Sequence, residues 1–108
     1  MKKFLVLYKA PLATWDKLVQ GTPEQRKVFM DAWMAWAGKA AKAIVELGAP
    51  LGKSLNVTPA GASPTRTELG GYSIMQGDSK EAVAKELEGH PHFTAPDAYI
   101  EITEMMPM

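Results

Sequence analysis

Two histidines, His90 and His92, flank Pro91 near the end of the chain and are the only histidines in it. An unperturbed imidazole has a pKa of about 6.5, so these side chains are suited to exchange a proton near neutral pH. A general acid or base needs such a group within reach of its substrate and a second group that orients it. We predict that His90 or His92 is a catalytic residue and that Asp97 orients it.

Two other interpretations of the histidines stay open. One histidine could cap the C-terminus of a preceding helix, where a cation is favoured by the helix dipole, while the other is exposed. A His-x-His spacing also occurs in metal sites, but no third ligand is evident, and a chain without cysteine has no thiolate to offer. We therefore predict no metal site.

Aromatic and hydroxyl side chains are the candidates for binding a ligand. Trp15 lies in an irregular segment after the first predicted strand, where it could form the wall of a cleft. Trp33 and Trp36 fall on the apolar stripe of a long predicted helix and are expected to pack in the core. The residues predicted to position a substrate are Trp15, Ser54, Tyr72 and Phe93.

The elements that position these residues follow from hydrophobic periodicity and from capping signals. Thr22, Pro23 and Gln25 resemble a capping box that opens a long helix, and Asp78 with Glu81 resembles a second one. Apolar residues recur at spacings of three and four as far as Leu47. We predict strands at 3–9, 51–57, 68–76 and 98–105, helices at 13–20, 22–48 and 78–89, and a loop or wide hairpin at 58–67.

This order is β-α-β-β-α-β, which predicts an α+β fold of the ferredoxin-like type in a single domain, residues 1–108. Two right-handed crossovers place both helices on one face of a four-stranded antiparallel sheet. The first strand is apolar on both faces, with Leu5 and Leu7 opposite to Phe4 and Val6. Because the helices cover one face only, we predict a homodimer that covers the other.

The composition excludes several classes of function. Twelve basic and twelve acidic residues give a formal net charge of zero, so there is no basic excess for binding nucleic acid. The apolar run at residues 4–8 is too short for a secretory signal, and no run reaches the length of a membrane span, so we expect a cytoplasmic protein. Met105, Met106 and Met108 are expected to pack across a dimer interface or to form a frayed end.

The segments MKKFLVLY, MDAWMAWAGKAAKAIVELGAPLG, GYSIMQGDSKEAVAKELEGHPHF and AYIEITEM together resemble the YCII-related (DGPF-type) proteins. The resemblance implies a dimeric α+β barrel of ferredoxin-like protomers, and for some members a His–Asp pair in a cleft. Here the family's Asp-Pro-Phe loop is replaced by His90-Pro91-His92-Phe93, and no histidine lies between residues 1 and 88. The supposed pair is therefore not carried over.

These observations predict a homodimer that binds a small organic molecule, with cofactor-independent proton transfer assisted by histidine. The alternative is a non-catalytic dimeric binding or interaction module in which the histidines are structural. Fold analogy alone suggests a third possibility, a cofactor-free monooxygenase.

Overall fold

The computed structural model describes residues 1–107, so Met108 and any role of its side chain at an interface lie outside the described residues. The strands are β1 (Lys2–Lys9), β2 (Ile44–Pro50), β3 (Ser54–Thr58), β4 (Gly61–Thr65), β5 (Leu69–Gly77) and β6 (Tyr99–Glu104). The α-helices are α1 (Leu12–Leu18), α2 (Pro23–Lys39) and α3 (Lys80–Glu86). Short 3-10 helices cover Ala41–Ala43 and Pro91–Thr94.

Four strands form an antiparallel sheet in the order β2-β5-β1-β6, which confirms the predicted fold class. Directly paired residues share a face, so Val6 lies beside Ser73 and Ile102. That face packs against Trp36 of α2 and Val83 of α3 to form the core. Within residues 1–107 the sheet is open, with β2 and β6 at its edges, and it does not close into a barrel.

Side-chain caps determine where helices α2 and α3 begin. Thr22 accepts a hydrogen bond from the Gln25 N–H, and the Gln25 side chain accepts one from the Thr22 N–H, which is the predicted capping box. At α3 the predicted cap was wrong by one residue. Ser79, rather than Asp78, accepts the hydrogen bond from the Ala82 N–H.

The prediction of one helix over residues 22–48 was wrong at its C-terminal end. Helix α2 ends at Lys39, a 3-10 turn follows, and residues 44–50 form β2. Ile44 and Leu47 continue the helical spacing by coincidence, because Ile44 pairs with Met75 of β5 and Leu47 packs against the core as part of a strand. The second sheet strand was therefore predicted too late in the chain, at 51–57.

Strands β3 and β4 form a separate two-stranded hairpin in place of a sheet strand and a loop. Leu55 pairs with Pro64 and Val57 with Ala62, so one face of the hairpin is apolar. Leu55 and Val57 remain 64% and 77% exposed. The hairpin thus presents an uncovered apolar face, which we call the arm face.

Among residues 1–107, no helix is both long and apolar enough to cross a membrane. The methionines near the end of the chain, Met105 and Met106, are exposed.

Candidate functional site

His90 is positioned by the turn that follows α3. Its N–H donates to the Leu87 carbonyl, and its Nδ1 accepts a 2.9 Å hydrogen bond from the His92 N–H, so the imidazole caps the 3-10 helix. Since Nδ1 accepts, the proton of the neutral ring is on Nε2. The ring is 1% exposed, and Nε2 is fully buried without a hydrogen-bond partner in the described part of the chain.

The surroundings of His90 are aromatic. Its ring stacks on Tyr8 at a centroid distance of 5.0 Å and meets Trp33 and Trp36 edge-on, each at 4.3 Å. A charged imidazole there would lose its hydration without gaining a counter-ion. Burial, with a smaller contribution from His92, lowers the pKa of His90 to about 4, so the ring is neutral at pH 7.

His92 lies two residues further on and is 2% exposed. Its Nε2 is 2.8 Å from the carbonyl oxygen of Lys9, and because a carbonyl can only accept, Nε2 is the donor. Burial lowers the pKa of His92, although the nearby backbone of Lys9 and Tyr99 opposes the shift. In the neutral ring Nδ1 therefore keeps its lone pair. Within residues 1–107 the hydrogen bond of the His92 ring is the one from Nε2 to Lys9, and His92 borders the cavity described below.

Both histidines are buried, so the interpretation in which one caps α3 and the other is exposed is wrong. His90 caps the following 3-10 helix instead.

Tyr8 joins the two histidines to the sheet. Its ring lies 5.6 Å from His92, and its hydroxyl is 2.9 Å from the Ser73 hydroxyl, which in turn donates to the Leu47 carbonyl at 2.6 Å. Because Ser73 has one proton and gives it to Leu47, Tyr8 is the donor in the first bond. Burial raises the pKa of Tyr8, and the bond to Ser73 opposes this in part. The phenol stays protonated at neutral pH.

A cavity of about 740 Å³ opens beside this cluster. This volume is typical of small-molecule sites. Its walls come from α1, residues 25–34 of α2, the 3-10 helix at Pro91–Thr94, and strands β1, β2 and β5. The side chains that define it are mainly apolar and aromatic, including Tyr8, Trp15, Leu18, Phe29, Trp33 and Leu47, with His92 among them.

Trp15 is held in the cavity wall by three contacts. Its Nε1 donates to the Glu68 carbonyl at 2.8 Å, and its ring stacks on His92 at a centroid distance of 5.9 Å. Gly70 leaves room for the indole, since a Cβ at residue 70 would lie 2.3 Å from the Trp15 ring. Trp15 therefore borders a cavity, and its predicted role in binding a substrate stays a prediction.

The other predicted site residues are dispersed. Tyr72 borders the cavity, but its hydroxyl donates to Glu46. Asp97 is exposed with φ 57° and hydrogen-bonds neither histidine among the described residues. Phe93 is 48% exposed and Ser54 lies on the hairpin; neither borders the cavity. His90 does not border the cavity.

Several residues of this site were not singled out from the sequence. Tyr8 was expected as an ordinary strand residue and Ser73 on the uncovered face of the sheet. The second expectation is wrong, because the two residues form a buried hydrogen-bonded pair. The signal that could have identified this pair is a hydroxyl group on the core face of each of two strands. Metal binding has no support from geometry in the described part of the chain, where no three His, Asp or Glu side chains gather.

The fold and the site define an α+β protein with one helix-covered antiparallel sheet and an aromatic cavity beside a buried histidine pair. No family model matches the chain, and no curated protein matches it. One solved structure with a similar fold is the 5-chloro-2-hydroxyhydroquinone dehydrochlorinase from Burkholderia phenoliruptrix AC1100, in complex with 2,5-dihydroxybenzoquinone. The two chains are 19% identical with a TM-score of 0.49, over 92% of this chain and 90% of that one. This similarity assigns no ligand or residue role to the present chain.

Proposed function

We propose that the protein binds a small, mainly apolar organic molecule in the cavity, and that Nδ1 of His92 accepts a proton or a hydrogen bond from it. The observation that carries the proposal is the tautomer of His92. The Lys9 carbonyl holds the ring proton on Nε2, which leaves a lone pair on Nδ1 of a residue that borders a mainly apolar cavity.

Burial adapts His92 to this role. A neutral imidazole is ready to accept a proton at pH 7, and the lowered pKa of His92 keeps it neutral. Trp15 stacks on one side of the ring and Tyr8 meets it edge-on, which fixes its orientation without a carboxylate. The suitable ligand carries a hydroxyl, or a C–H made acidic by a neighbouring carbonyl. In the second case Nδ1 takes the proton, the bond electrons form an enolate, and the proton returns from the imidazolium.

Replacing His92 by glutamine tests the role of Nδ1. The Gln amide nitrogen can reach the position of Nε2 and keep the hydrogen bond to Lys9, while the acceptor at Nδ1 is lost. We expect 2-naphthol to bind His92→Gln about ten-fold more weakly than wild type, since an unpaired buried donor costs about 1–3 kcal/mol. Binding of 2-methoxynaphthalene, which has no donor, should be unchanged. Titrations followed by NMR or tryptophan fluorescence measure both.

Phe93→Ala is the matched control, because Phe93 is adjacent in sequence but does not border the cavity. Proton transfer is measured separately, as deuterium uptake at the acidic carbon of 2-tetralone in D2O. The wild type should accelerate the uptake and His92→Gln should not. Equal affinity of wild type and His92→Gln for 2-naphthol, with equal deuterium uptake, would refute the proposal.

We also propose that two copies associate through the uncovered face of the sheet. Leu5 and Leu7 of β1 and Ile74 of β5 lie together on that face and are only half-buried in the single chain. This apolar strip crosses the middle of the sheet, away from the helices, and a second copy of the same strip is its best complement.

Leu7→Glu tests the association. A carboxylate at the centre of the strip would have to be buried without a partner, so we expect a dimer of the 11.8 kDa chain to become monomeric. Sedimentation equilibrium measures the mass. Leu55→Glu places the same charge on the arm face and serves as the control. A monomeric wild type, or a Leu7→Glu variant that is still dimeric, contradicts this proposal.

A further inference from the structure

Two cationic side chains border the cavity. Lys17 lies in the last turn of α1, and Arg26 lies near the start of α2. Gly21 and Gln25 also border the cavity, so both cations lie near the connection between the two helices. Both side chains belong to exposed residues, which means that their charges remain hydrated in the absence of a ligand.

Neither cation is neutralised by the protein. Within residues 1–107, Lys17 and Arg26 have no ion pair, and no aspartate or glutamate borders the cavity. Two carboxylates of the same two helices, Asp16 and Asp31, are already paired with other cations. Arg66 is 2.7 Å from Asp16, and Lys27 is 2.8 Å from Asp31. In a chain of zero net charge, the cavity therefore has a local positive excess.

The other residues of the cavity wall indicate the chemical character of the rest of the ligand. Leu18, Phe29 and Trp33 are apolar and line the cavity beside the two cations. A small inorganic anion would not fill a space of about 740 Å³ or use these walls. A neutral apolar molecule would leave both cations unused. An amphipathic anion uses both features, since a carboxylate accepts charge-assisted hydrogen bonds from lysine and arginine.

We infer that the ligand of this cavity is an organic acid, an aromatic or similarly apolar body with one carboxylate bound by Lys17 and Arg26. The inference rests on the proposed function, because it concerns the same cavity and adds the class of its ligand. The hydroxyl or acidic C–H of the molecule faces His92, and the carboxylate lies at the connection between α1 and α2.

The test compares 6-hydroxy-2-naphthoate with 6-hydroxy-2-naphthamide, which share the hydroxyl and the ring but differ in charge. We expect wild type to bind the naphthoate about ten-fold more tightly. The double variant Lys17→Met, Arg26→Met keeps the apolar stems and should remove this preference, because the naphthoate loses more affinity than the amide. Lys27→Met is the control, since Lys27 is paired with Asp31 and does not border the cavity.

The outcomes separate the two proposals. Equal affinity for the two compounds in wild type, or a preference for the naphthoate that survives in the double variant, overturns the inference and leaves the proposed function intact. Failure of both compounds to bind wild type overturns the proposed function and the inference together. A preference that the double variant loses and Lys27→Met keeps supports both.

Discussion

Lowering the pH from 7 to 4.5 is expected to reduce the free energy of unfolding by about 2 kcal/mol through His90 alone. The pKa of His90 is about 4 in the folded protein, against 6.5 for the exposed side chain. As the pH falls through 6.5, His90 binds a proton in the unfolded chain but stays neutral in the folded chain. Stability is therefore lost between pH 6.5 and 4, and this loss stops below pH 4. Urea unfolding at a series of pH values measures the effect.

His90→Asn isolates the contribution of His90. The Asn side-chain oxygen can occupy the position of Nδ1 and accept from the His92 N–H, so the cap is kept while the titrating group is removed. The variant should be less stable at pH 7 because it loses ring contacts, but its stability should fall less steeply towards pH 4.5. Val83→Ala, a core truncation in α3, should keep the wild-type slope. If the free energy of unfolding of His90→Asn falls as steeply with pH as that of wild type, the pKa of His90 is not lowered in the folded protein, which contradicts the prediction.

Gly48→Ala is expected to destabilise the protein by at least about 3 kcal/mol. Gly48 has φ +81°, and a Cβ at this position would lie only 1.8 Å from the Tyr72 carbonyl oxygen. The register of β2 against β5 shifts between Glu46 and Ala49, so the glycine forms an irregularity at which the two backbones approach closely. The change should also weaken the bond from Ser73 to Leu47. Denaturant unfolding measures the loss.

Gly89→Ala is the control that separates backbone strain from the clash. Gly89 has a similar φ of +74°, but a Cβ at residue 89 would have no atom within 4 Å apart from those of its chain neighbours. We expect this variant to lose about 1 kcal/mol, the cost of the left-handed conformation alone. If Gly48→Ala and Gly89→Ala lower the free energy of unfolding by the same amount, the close contact with Tyr72 adds nothing to the destabilisation.

The parts of the fold that could be predicted from the sequence are those that local signals determine. Strand β1 alternates between buried and half-buried residues from Phe4 onwards, and the α2 capping box is complete within four residues. The end of α2 depends on distant residues. Ile44 leaves the helical pattern because β5 offers a strand partner, and Gly48 is required by the approach of Tyr72, which lies far away in the sequence.

The candidate site shows the same division. The sequence singled out the histidine pair and Trp15 as candidates, because their residue types are distinctive, and their functional roles stay predictions. It could not show that His90 is enclosed by Trp33 and Trp36, or that Lys9 fixes the tautomer of His92. Those contacts join segments that are some 50 to 80 residues apart, and only the arrangement of the sheet and helices brings them together.

The hairpin of β3 and β4 has a consequence for the dynamics of the chain. Its cross-strand hydrogen bonds are made within one two-stranded unit, and a two-stranded hairpin alone is marginally stable in water. Its amide protons should therefore exchange with solvent through local opening, well before those of β1 at the centre of the main sheet. The hairpin would then order and disorder independently of the cavity, and an occupant of the arm face would be detected as slower exchange in residues 54–65 alone.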